Sequence, residues 1–213
     1  MAELEKLQMD IDGARVDAAG GEAVESLNPF TGKAWATVPR GGPEDAERAV
    51  AAAKKAFTSG DWPAMTPTAR GHLLRKLGDL IAENAERLAK IEVQDNGKLM
   101  AEMGMQLQYT PQWFYYFAGL ADKIEGVVLP IDKPDMFTYT RHEPLGVITM
   151  ITPWNPPILL LIWKLAPALA AGNPVVLTPS ACTSGVGLAF SALSRPAGCS
   201  KGGASLYLEC VRA

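Results

Sequence analysis

Cysteine and histidine are scarce in this sequence, which argues against disulfide and metal chemistry. The 213 residues contain 3 cysteines and 2 histidines. Cys182, Cys199 and Cys210 are odd in number and lack the spacing of metal ligands, with only His72 and His142 to join them. We therefore predict neither a disulfide framework nor a metal site. Free thiols fit a reducing compartment.

Long apolar runs and blocks of like charge are missing too. Residues 1–13 mix both charge signs and lack the apolar segment of a secretory signal. The longest apolar run, residues 158–171, is interrupted by Lys164 and Pro167 and is shorter than the roughly 18–20 residues that span a bilayer. The net charge is −3, and no block of Lys and Arg resembles a phosphate-binding surface. These absences predict a cytoplasmic protein that binds neither membrane nor nucleic acid.

The N-terminal part of the sequence has no periodic secondary-structure pattern, and a predicted helix follows it. Residues 1–26 show no sustained periodicity, and residues 28–45 predict a short strand between turn residues. Pro43 suits a first helical turn, the acidic residues behind it favour the positive end of the helix dipole, and the next stretch is rich in alanine. A helix is therefore predicted to about Phe57.

Two more helical segments follow. Thr66 is a capping residue in front of a proline, and apolar residues then recur at helical spacing to about Val93. Another helix is predicted over residues 99–122, with a break or kink near Thr110 because a proline follows. The aromatic cluster at residues 113–117 is more typical of a core than of a cofactor site.

The second half of the chain changes to a strand–helix–strand pattern. Residues 137–151 are rich in β-forming side chains and end shortly before a proline. A helix is predicted next, then a loop at residues 172–174 and a short apolar strand at residues 175–180. Such a βαβ unit implies a parallel sheet with helices on its faces. The predicted fold class is α/β, with an incomplete Rossmann-like parallel sheet preceded by helices and a short β segment.

A polar step lies where the first predicted strand ends and the helix begins. Ligands of open parallel sheets bind in the crevice beyond the carboxyl ends of strands, and Trp154 and Asn155 occupy that position. An Asn amide donates hydrogen bonds without carrying charge, so Asn155 is a candidate donor to a developing oxyanion. The alternative is that Asn155 only caps the helix, since Asn is a favoured N-cap residue. Spacing alone leaves both hypotheses open, and Pro157 suits the first helical turn in either case.

Six short segments occur in the order known from one enzyme superfamily. They are NPFTGK (28–33), DNGK (95–98), RHEPLGV (141–147), PWN (153–155), WKLAPALAAGN (163–173) and VVLTPS (175–180). On these segments the chain resembles the N-terminal portion of the NAD(P)-dependent aldehyde dehydrogenase superfamily, whose members oxidise aldehydes to carboxylic acids. The agreement extends over residues 28–193. The fold that the resemblance implies is a truncated aldehyde dehydrogenase fold.

The resemblance also implies a mechanism and a set of site residues. A cysteine thiolate attacks a small aldehyde, hydride passes to the nicotinamide of NAD or NADP, and a glutamate activates the water that releases the acid. Asn155 takes the position of the family's oxyanion donor. The implied cofactor-binding residues are Thr152, Pro153, Trp154, Thr178, Ser180 and Ala181, and the implied substrate-tunnel residues are Pro156, Leu160 and Trp163.

The sequence departs from the family pattern at several of these positions. Thr178 and Ala181 stand where the family carries a Lys and often a Glu that grip the adenosine ribose, and each lost contact is worth about 1.5–3 kcal/mol in gross terms. NAD or NADP is therefore expected to bind weakly. Pro156 replaces an aromatic residue and restricts Asn155 to extended conformations. The motifs of the nucleophilic Cys and the general-base Glu do not occur in the sequence, and no cysteine present replaces the nucleophile.

The segments predict four parts of the chain. Residues 1–27 are an N-terminal extension and residues 28–136 the helical part of the N-terminal domain. Residues 137–193 begin the NAD(P)-binding βαβ region, with a β segment near residues 137–143 in oligomer contact, and residues 194–213 are a tail without family resemblance.

Two functions remain open. One is an aldehyde dehydrogenase-like oxidoreductase, present here as an N-terminal portion that is inactive alone and forms homo-oligomers. The other is a non-enzymatic assembly partner or pseudoenzyme that associates with full-length subunits.

Overall fold

The structure is a computed structural model that describes residues 4–59 and 61–195. The tail predicted at residues 194–213 lies outside the described residues except for its first two positions, and Cys199 and Cys210 lie outside them as well.

Five short strands form the N-terminal part, where the sequence shows no sustained periodicity. They are β1 (Glu5–Lys6), β2 (Met9–Ile11), β3 (Ala14–Val16), β4 (Ala23–Asn28) and β5 (Lys33–Pro39). β4 and β5 pair antiparallel, and β1 lies parallel to β5. β2 and β3 form a separate hairpin, and its turn residues Asp12 and Gly13 have φ values of 53° and 76°. Positive φ at both central residues is what a two-residue hairpin turn of type I′ requires. The strand predicted within residues 28–45 is β5.

Four helices follow, and their bounds confirm the predicted helical segments. They are α1 (Pro43–Ser59), α2 (Pro67–Asn96), α3 (Met100–Tyr109) and α4 (Pro111–Leu120). The hydroxyl of Thr66 accepts a hydrogen bond from the Ala69 amide at 3.2 Å, which caps α2 as predicted. The predicted break near Thr110 separates α3 from α4. Within the described ranges, no helix is both long and apolar enough to cross a bilayer.

The last third contains the predicted βαβ unit. Its elements are β6 (Val128–Leu129), β7 (Thr138–Tyr139), β8 (Ile148–Thr152), α5 (Pro157–Ala170), β9 (Val175–Pro179) and α6 (Ser184–Ser194). β6 and β7 pair antiparallel, whereas β8 and β9 are parallel, from Ile148 opposite Val175 to Thr152 opposite Pro179. A single turn of 3₁₀ helix, Ala181–Thr183, connects β9 to α6. The α/β fold class is confirmed.

The main hydrophobic core lies between α2 and the βαβ unit. α2 contributes Leu74, Leu77, Ile81 and Leu88, and α5 contributes Ile158, Leu161, Ile162 and Leu165. Phe114 of the predicted core cluster at residues 113–117 is fully buried, but Tyr116 is 60% exposed. A second, smaller core joins β2 and α1 to Val176 of β9. The N-terminal strands are thereby packed against the parallel sheet.

One hydrogen bond ties the loop between α1 and α2 to the loop between α5 and β9. The indole nitrogen of Trp62 donates to the carbonyl oxygen of Gly172 at 2.7 Å, and Trp62 is 3% exposed. Gly172 has a φ of 86°, which favours glycine, and ends α5. This contact fixes the start of β9 against the helical part.

Candidate functional site

The candidate site lies at the carboxyl ends of β8 and β9. Thr152 is the last residue of β8 and is 2% exposed. Residues 153–156, which we call the crossing segment, then connect β8 to α5. The 3₁₀ turn after β9 lies beside the crossing segment. Since both parallel strands end at the same edge, the two connections border one crevice, which is where open parallel sheets bind ligands.

A cavity of about 510 Å³ occupies this edge. Trp154 of the crossing segment and Ala181 of the 3₁₀ turn both line it, so two predicted cofactor residues share one cavity. Its other walls come from β4, from the residues after β4 and from the end of α2. Cys182 also lines the cavity and is an exposed free thiol.

The remaining predicted cofactor residues surround the end of β9. Thr178 pairs opposite Ile151 and is half-buried, which leaves part of it open to the surface. The hydroxyl of Ser180 accepts a hydrogen bond from the Cys182 amide at 3.3 Å and so caps the 3₁₀ turn. Pro153 is half-buried in the crossing segment. None of these side chains brings a charge to the crevice.

Asn155 is exposed in the crossing segment and does not cap α5. Pro156 occupies the N-cap position, without a side-chain hydrogen bond, and α5 begins at Pro157. The hypothesis that Asn155 serves as the helix cap is therefore wrong, because Pro156 takes the N-cap position and the helix starts two residues past the Asn. The role of Pro157 in the first helical turn is confirmed.

Side chains from two helices hold the backbone of the crossing segment and of the strand before it. The carbonyl oxygen of Asn155 accepts a hydrogen bond from the side-chain amide of Asn96 at 3.0 Å. The ammonium group of Lys164 on α5 donates to the carbonyl oxygen of Ile151 in β8. Sequence reasoning missed Asn96, although it lies in the DNGK segment that the family resemblance singled out.

The predicted tunnel residues follow one side of α5. Pro156, Leu160 and Trp163 are spaced by four and three positions, which places them on one face of the helix. Trp163 is 44% exposed and packs edge-to-face on Trp113 of α4, with ring centroids 5.3 Å apart. The aromatic cluster at residues 113–117 predicted a core position for Trp113. Trp113 packs against the core and also contacts Trp163.

Two buried carboxyl groups lie near the end of α2, and one of them, Asp95, lines the cavity. Asp95 accepts hydrogen bonds from the Ser26 hydroxyl at 2.6 Å and from the Val186 amide at 3.0 Å. Burial raises the pKa of Asp95, and these hydrogen bonds oppose that rise. Glu92 is fully buried, and neither carboxyl oxygen has a hydrogen-bond partner among the described residues. Burial raises the pKa of Glu92 to about 8, against the lowering effect of Lys98.

No group of three or more His, Cys, Asp or Glu side chains in the described part of the chain is arranged to hold a metal ion. Neutral hydrogen-bonding groups lie at the crevice beside the acidic side chains of Glu25 and Asp95 and the thiol of Cys182. Asn155 supplies an amide, Thr178 a hydroxyl, and the crossing segment and 3₁₀ turn supply backbone groups.

The chain is similar to proteins of one known family. A profile described as the aldehyde dehydrogenase family matches residues 16–207. The chain is 44% identical over 177 residues to (Z)-2-((N-methylformamido)methylene)-5-hydroxybutyrolactone dehydrogenase of Acinetobacter baylyi, a match that covers 83% of this chain and 36% of that protein.

Solved structures agree with this match. The fold is similar to an NAD-dependent aldehyde dehydrogenase from Sinorhizobium meliloti, with a TM-score of 0.93 and 34% identity over 98% of this chain and 42% of that one. It is also similar to a point mutant of betaine aldehyde dehydrogenase from Staphylococcus aureus in complex with NAD⁺, with a TM-score of 0.92 and 39% identity over 98% of this chain and 42% of that one. The chain spans less than half the length of these proteins.

Proposed function

Because the chain belongs to the aldehyde dehydrogenase family, we propose that it forms the nicotinamide side of the cofactor cleft of an NAD(P)-dependent aldehyde dehydrogenase and supplies an oxyanion donor. The observation that carries this proposal is the crossing segment. It presents the exposed Asn155 amide at the carboxyl edge of a parallel sheet, beside a cavity lined by Trp154 and Ala181.

Asn155 is suited to the chemistry of aldehyde oxidation. When a nucleophile adds to an aldehyde, negative charge develops on the carbonyl oxygen, and a fixed neutral donor stabilises this charge without a compensating proton transfer. Bound NAD(P)⁺ accepts the hydride in this class of reaction. The tunnel residues on α5 would line the approach of the aldehyde, because Leu160 and Trp163 continue along the helix face that starts beside Asn155.

The cofactor is proposed to bind through backbone groups and the hydroxyl of Thr178. A half-buried Thr at the end of β9 fits a sugar hydroxyl, and the cavity beside Trp154 has a volume of about 510 Å³. Thr178 and Ala181 provide no charge-assisted contact, so we propose weak affinity for both NAD and NADP.

A chimeric enzyme tests this function. Residues 1–193 of this chain replace the corresponding segment of the Staphylococcus aureus betaine aldehyde dehydrogenase, which supplies the remaining catalytic residues of the family. We expect betaine aldehyde-dependent NADH formation by the chimera and none by the purified 213-residue chain. A folded chimera without activity would contradict the proposal. Turnover by the chain alone that disappears in Cys182→Ala would assign the nucleophile to Cys182.

A second candidate function is assembly with other subunits of the family. Apolar side chains are exposed on the strand pair β6–β7 and directly before β7, where Val128 is 65%, Tyr139 61% and Phe137 74% exposed. The rings of Phe137 and Tyr139 lie 5.8 Å apart and form one patch. Exposed apolar patches of this kind are typical of protein interfaces.

Light scattering after gel filtration distinguishes the assembly function from the enzymatic one. If the chain is an assembly partner, mixing it with a full-length homologue should give a complex that contains both chains, and Phe137→Ser should reduce the amount of that complex. Phe30→Ser is the matched control, because Phe30 is 93% exposed in the turn between β4 and β5, outside the β6–β7 pair. Separate elution of both proteins would exclude this function.

A further inference from the structure

A helix cap ends α2 at a position from which one side chain contacts the crossing segment. Gly97 has a φ of 75° and its amide donates to the Val93 carbonyl at 2.9 Å, which ends the helix in a left-handed cap. Asn96 is the last helical residue before this cap. Its side chain contacts a residue 59 positions further along the chain, the oxyanion candidate Asn155.

Both ends of the Asn96 amide are used, so its orientation is determined. The oxygen accepts a hydrogen bond from the Lys98 backbone amide at 3.0 Å. The nitrogen donates to the carbonyl oxygen of Asn155 at 3.0 Å. Rotating the amide by half a turn would place an NH₂ group against an N–H and an oxygen against a carbonyl oxygen, so both hydrogen bonds would be lost.

The end of α2 is itself held firmly. The carboxylate of Asp95 is bonded to Ser26 and to the amide of Val186. Gly97 lies against Pro29, and a Cβ atom at Gly97 would approach the Pro29 Cβ to 3.0 Å. β4, the turn after it and α6 therefore fix the residues on either side of Asn96, and Asn96 extends this fixed frame to the crossing segment.

The backbone conformation of Asn155 is restricted once a hydrogen bond holds its carbonyl group. Pro156 restricts the residue before it to extended conformations, and the Asn96 contact fixes the direction of the carbonyl group. The direction of the Cα–Cβ bond of Asn155 follows from these two constraints. Within the described part of the chain, the side-chain amide of Asn155 makes no hydrogen bond of its own and is exposed, so it is available for a ligand.

We propose that Asn96 is a positioning residue that holds the carbonyl group of Asn155 and thereby aims the Asn155 amide into the crevice. The catalytic part of this proposal rests on the oxyanion role proposed for Asn155. The contact itself can be tested separately in the chain alone.

The first experiment measures backbone order by ¹⁵N relaxation on the purified chain. A rigid backbone N–H has an order parameter of about 0.85 and a flexible one less than about 0.6, so we expect the value at Asn155 to fall from the first range toward the second in Asn96→Ala. Asn96→Asp separates the two hydrogen bonds, because a carboxylate still accepts from Lys98 but cannot donate to Asn155. We expect the same loss of order in Asn96→Asp.

The matched control is Asn84→Ala. Asn84 lies on the same helix, and its side-chain amide donates to the carbonyl of Leu80 at 2.8 Å, within α2. This variant also removes an Asn side-chain hydrogen bond to a backbone carbonyl, but it is expected to leave the order at Asn155 unchanged. An unchanged order parameter at Asn155 in Asn96→Asp, with the fold intact by circular dichroism, would overturn the proposal. If Asn96→Ala does not fold, Asn96→Asp alone decides the outcome.

The second experiment measures kinetics in the chimera. We expect Asn96→Asp to lower kcat by about 10-fold with KM nearly unchanged, since misplacing a catalytic group is costly even when binding is intact. On an Asn155→Ala background, Asn96→Asp should cause no further loss, because a residue that acts through Asn155 has no effect without it. A full additional 10-fold loss would show that Asn96 acts by another route. If Asn155→Ala alone leaves kcat unchanged, the oxyanion role is wrong, and the relaxation data still decide the contact.

Discussion

Asn155→Ala is expected to lower kcat by about 10²-fold or more in the chimeric enzyme, because one oxyanion donor is typically worth roughly 2.7–4 kcal/mol of transition-state stabilisation. The exposed Asn155 amide is a neutral side-chain donor at the carboxyl edge of β8, and its backbone is held by Asn96. Single-turnover kinetics measure the chemical step directly, and thermal melting on the same preparation measures stability. Since Asn155 does not cap α5, we expect little change in the melting temperature.

Pro156→Phe is the companion to this variant. Proline restricts Asn155 and replaces the aromatic residue that the family carries, so Pro156→Phe tests whether the restriction misdirects the amide. A higher kcat would show that it does. An unchanged kcat, with Asn155→Ala still damaging, would show that the crevice tolerates the proline. Loss of stability in Asn155→Ala without loss of turnover per folded molecule would instead refute the oxyanion role.

Glu92→Gln is expected to change how stability depends on pH. Burial raises the pKa of Glu92 from 4.5 to about 8 in the folded chain. Between these values the folded state holds a proton that the unfolded state has released, so the free energy of unfolding falls as pH rises. The slope is as large as about 1.4 kcal/mol per pH unit for one such group. Gln cannot ionise, so the variant should lose this slope and be more stable than the parent above pH 8.

Urea unfolding at a series of pH values measures this slope. Glu83→Gln is the matched control, because Glu83 lies on the same helix with its side chain exposed, and this variant should retain the slope of the parent. Burial also raises the pKa of Asp95 from its ordinary value of 3.8, so a slope of the same sign should remain in Glu92→Gln at pH values just above that value. Equal slopes in the parent and in Glu92→Gln would show that Glu92 is ionised in the folded chain across this range.

The helices and the βαβ unit were predictable because their signals are local. Proline at the first turn, a Thr cap and apolar spacing determine where α1 and α2 begin, and a proline separates α3 from α4. β8 and β9 are short apolar segments with a helix between them. Two strands connected in this way usually lie parallel in the same sheet. The position of the crossing segment follows from these elements alone.

The N-terminal strands were missed for a physical reason. β1 to β3 contain two or three residues each, so an alternating pattern has no length in which to appear. The pair Asp12-Gly13 was the available signal, because two such residues favour the positive φ values of a hairpin turn. The burial of β2 against α1 depends on contacts between distant parts of the chain, which no local pattern contains.

The hydrogen bond between Asn96 and Asn155 could not be predicted from local sequence patterns either. Asn96 and Asn155 are 59 residues apart, and their contact depends on how the end of α2 packs against β4 and α6. The DNGK segment marked the right place through family resemblance, but it did not assign Asn96 a partner. Similarly, the aromatic cluster indicated a core, whereas the pairing of Trp113 with Trp163 required the relative placement of α4 and α5.

The hydrogen bond from Trp62 to Gly172 has a consequence for synthesis on the ribosome. The two residues are 110 positions apart, and at about 5–20 residues per second the acceptor is made roughly 5–20 s after the donor. Throughout that interval the indole of Trp62 and the apolar faces of α1 and α2 have no βαβ unit to pack on. The nascent chain is therefore exposed to aggregation until β9 emerges, and we expect chaperones that bind apolar segments to associate with it in this window.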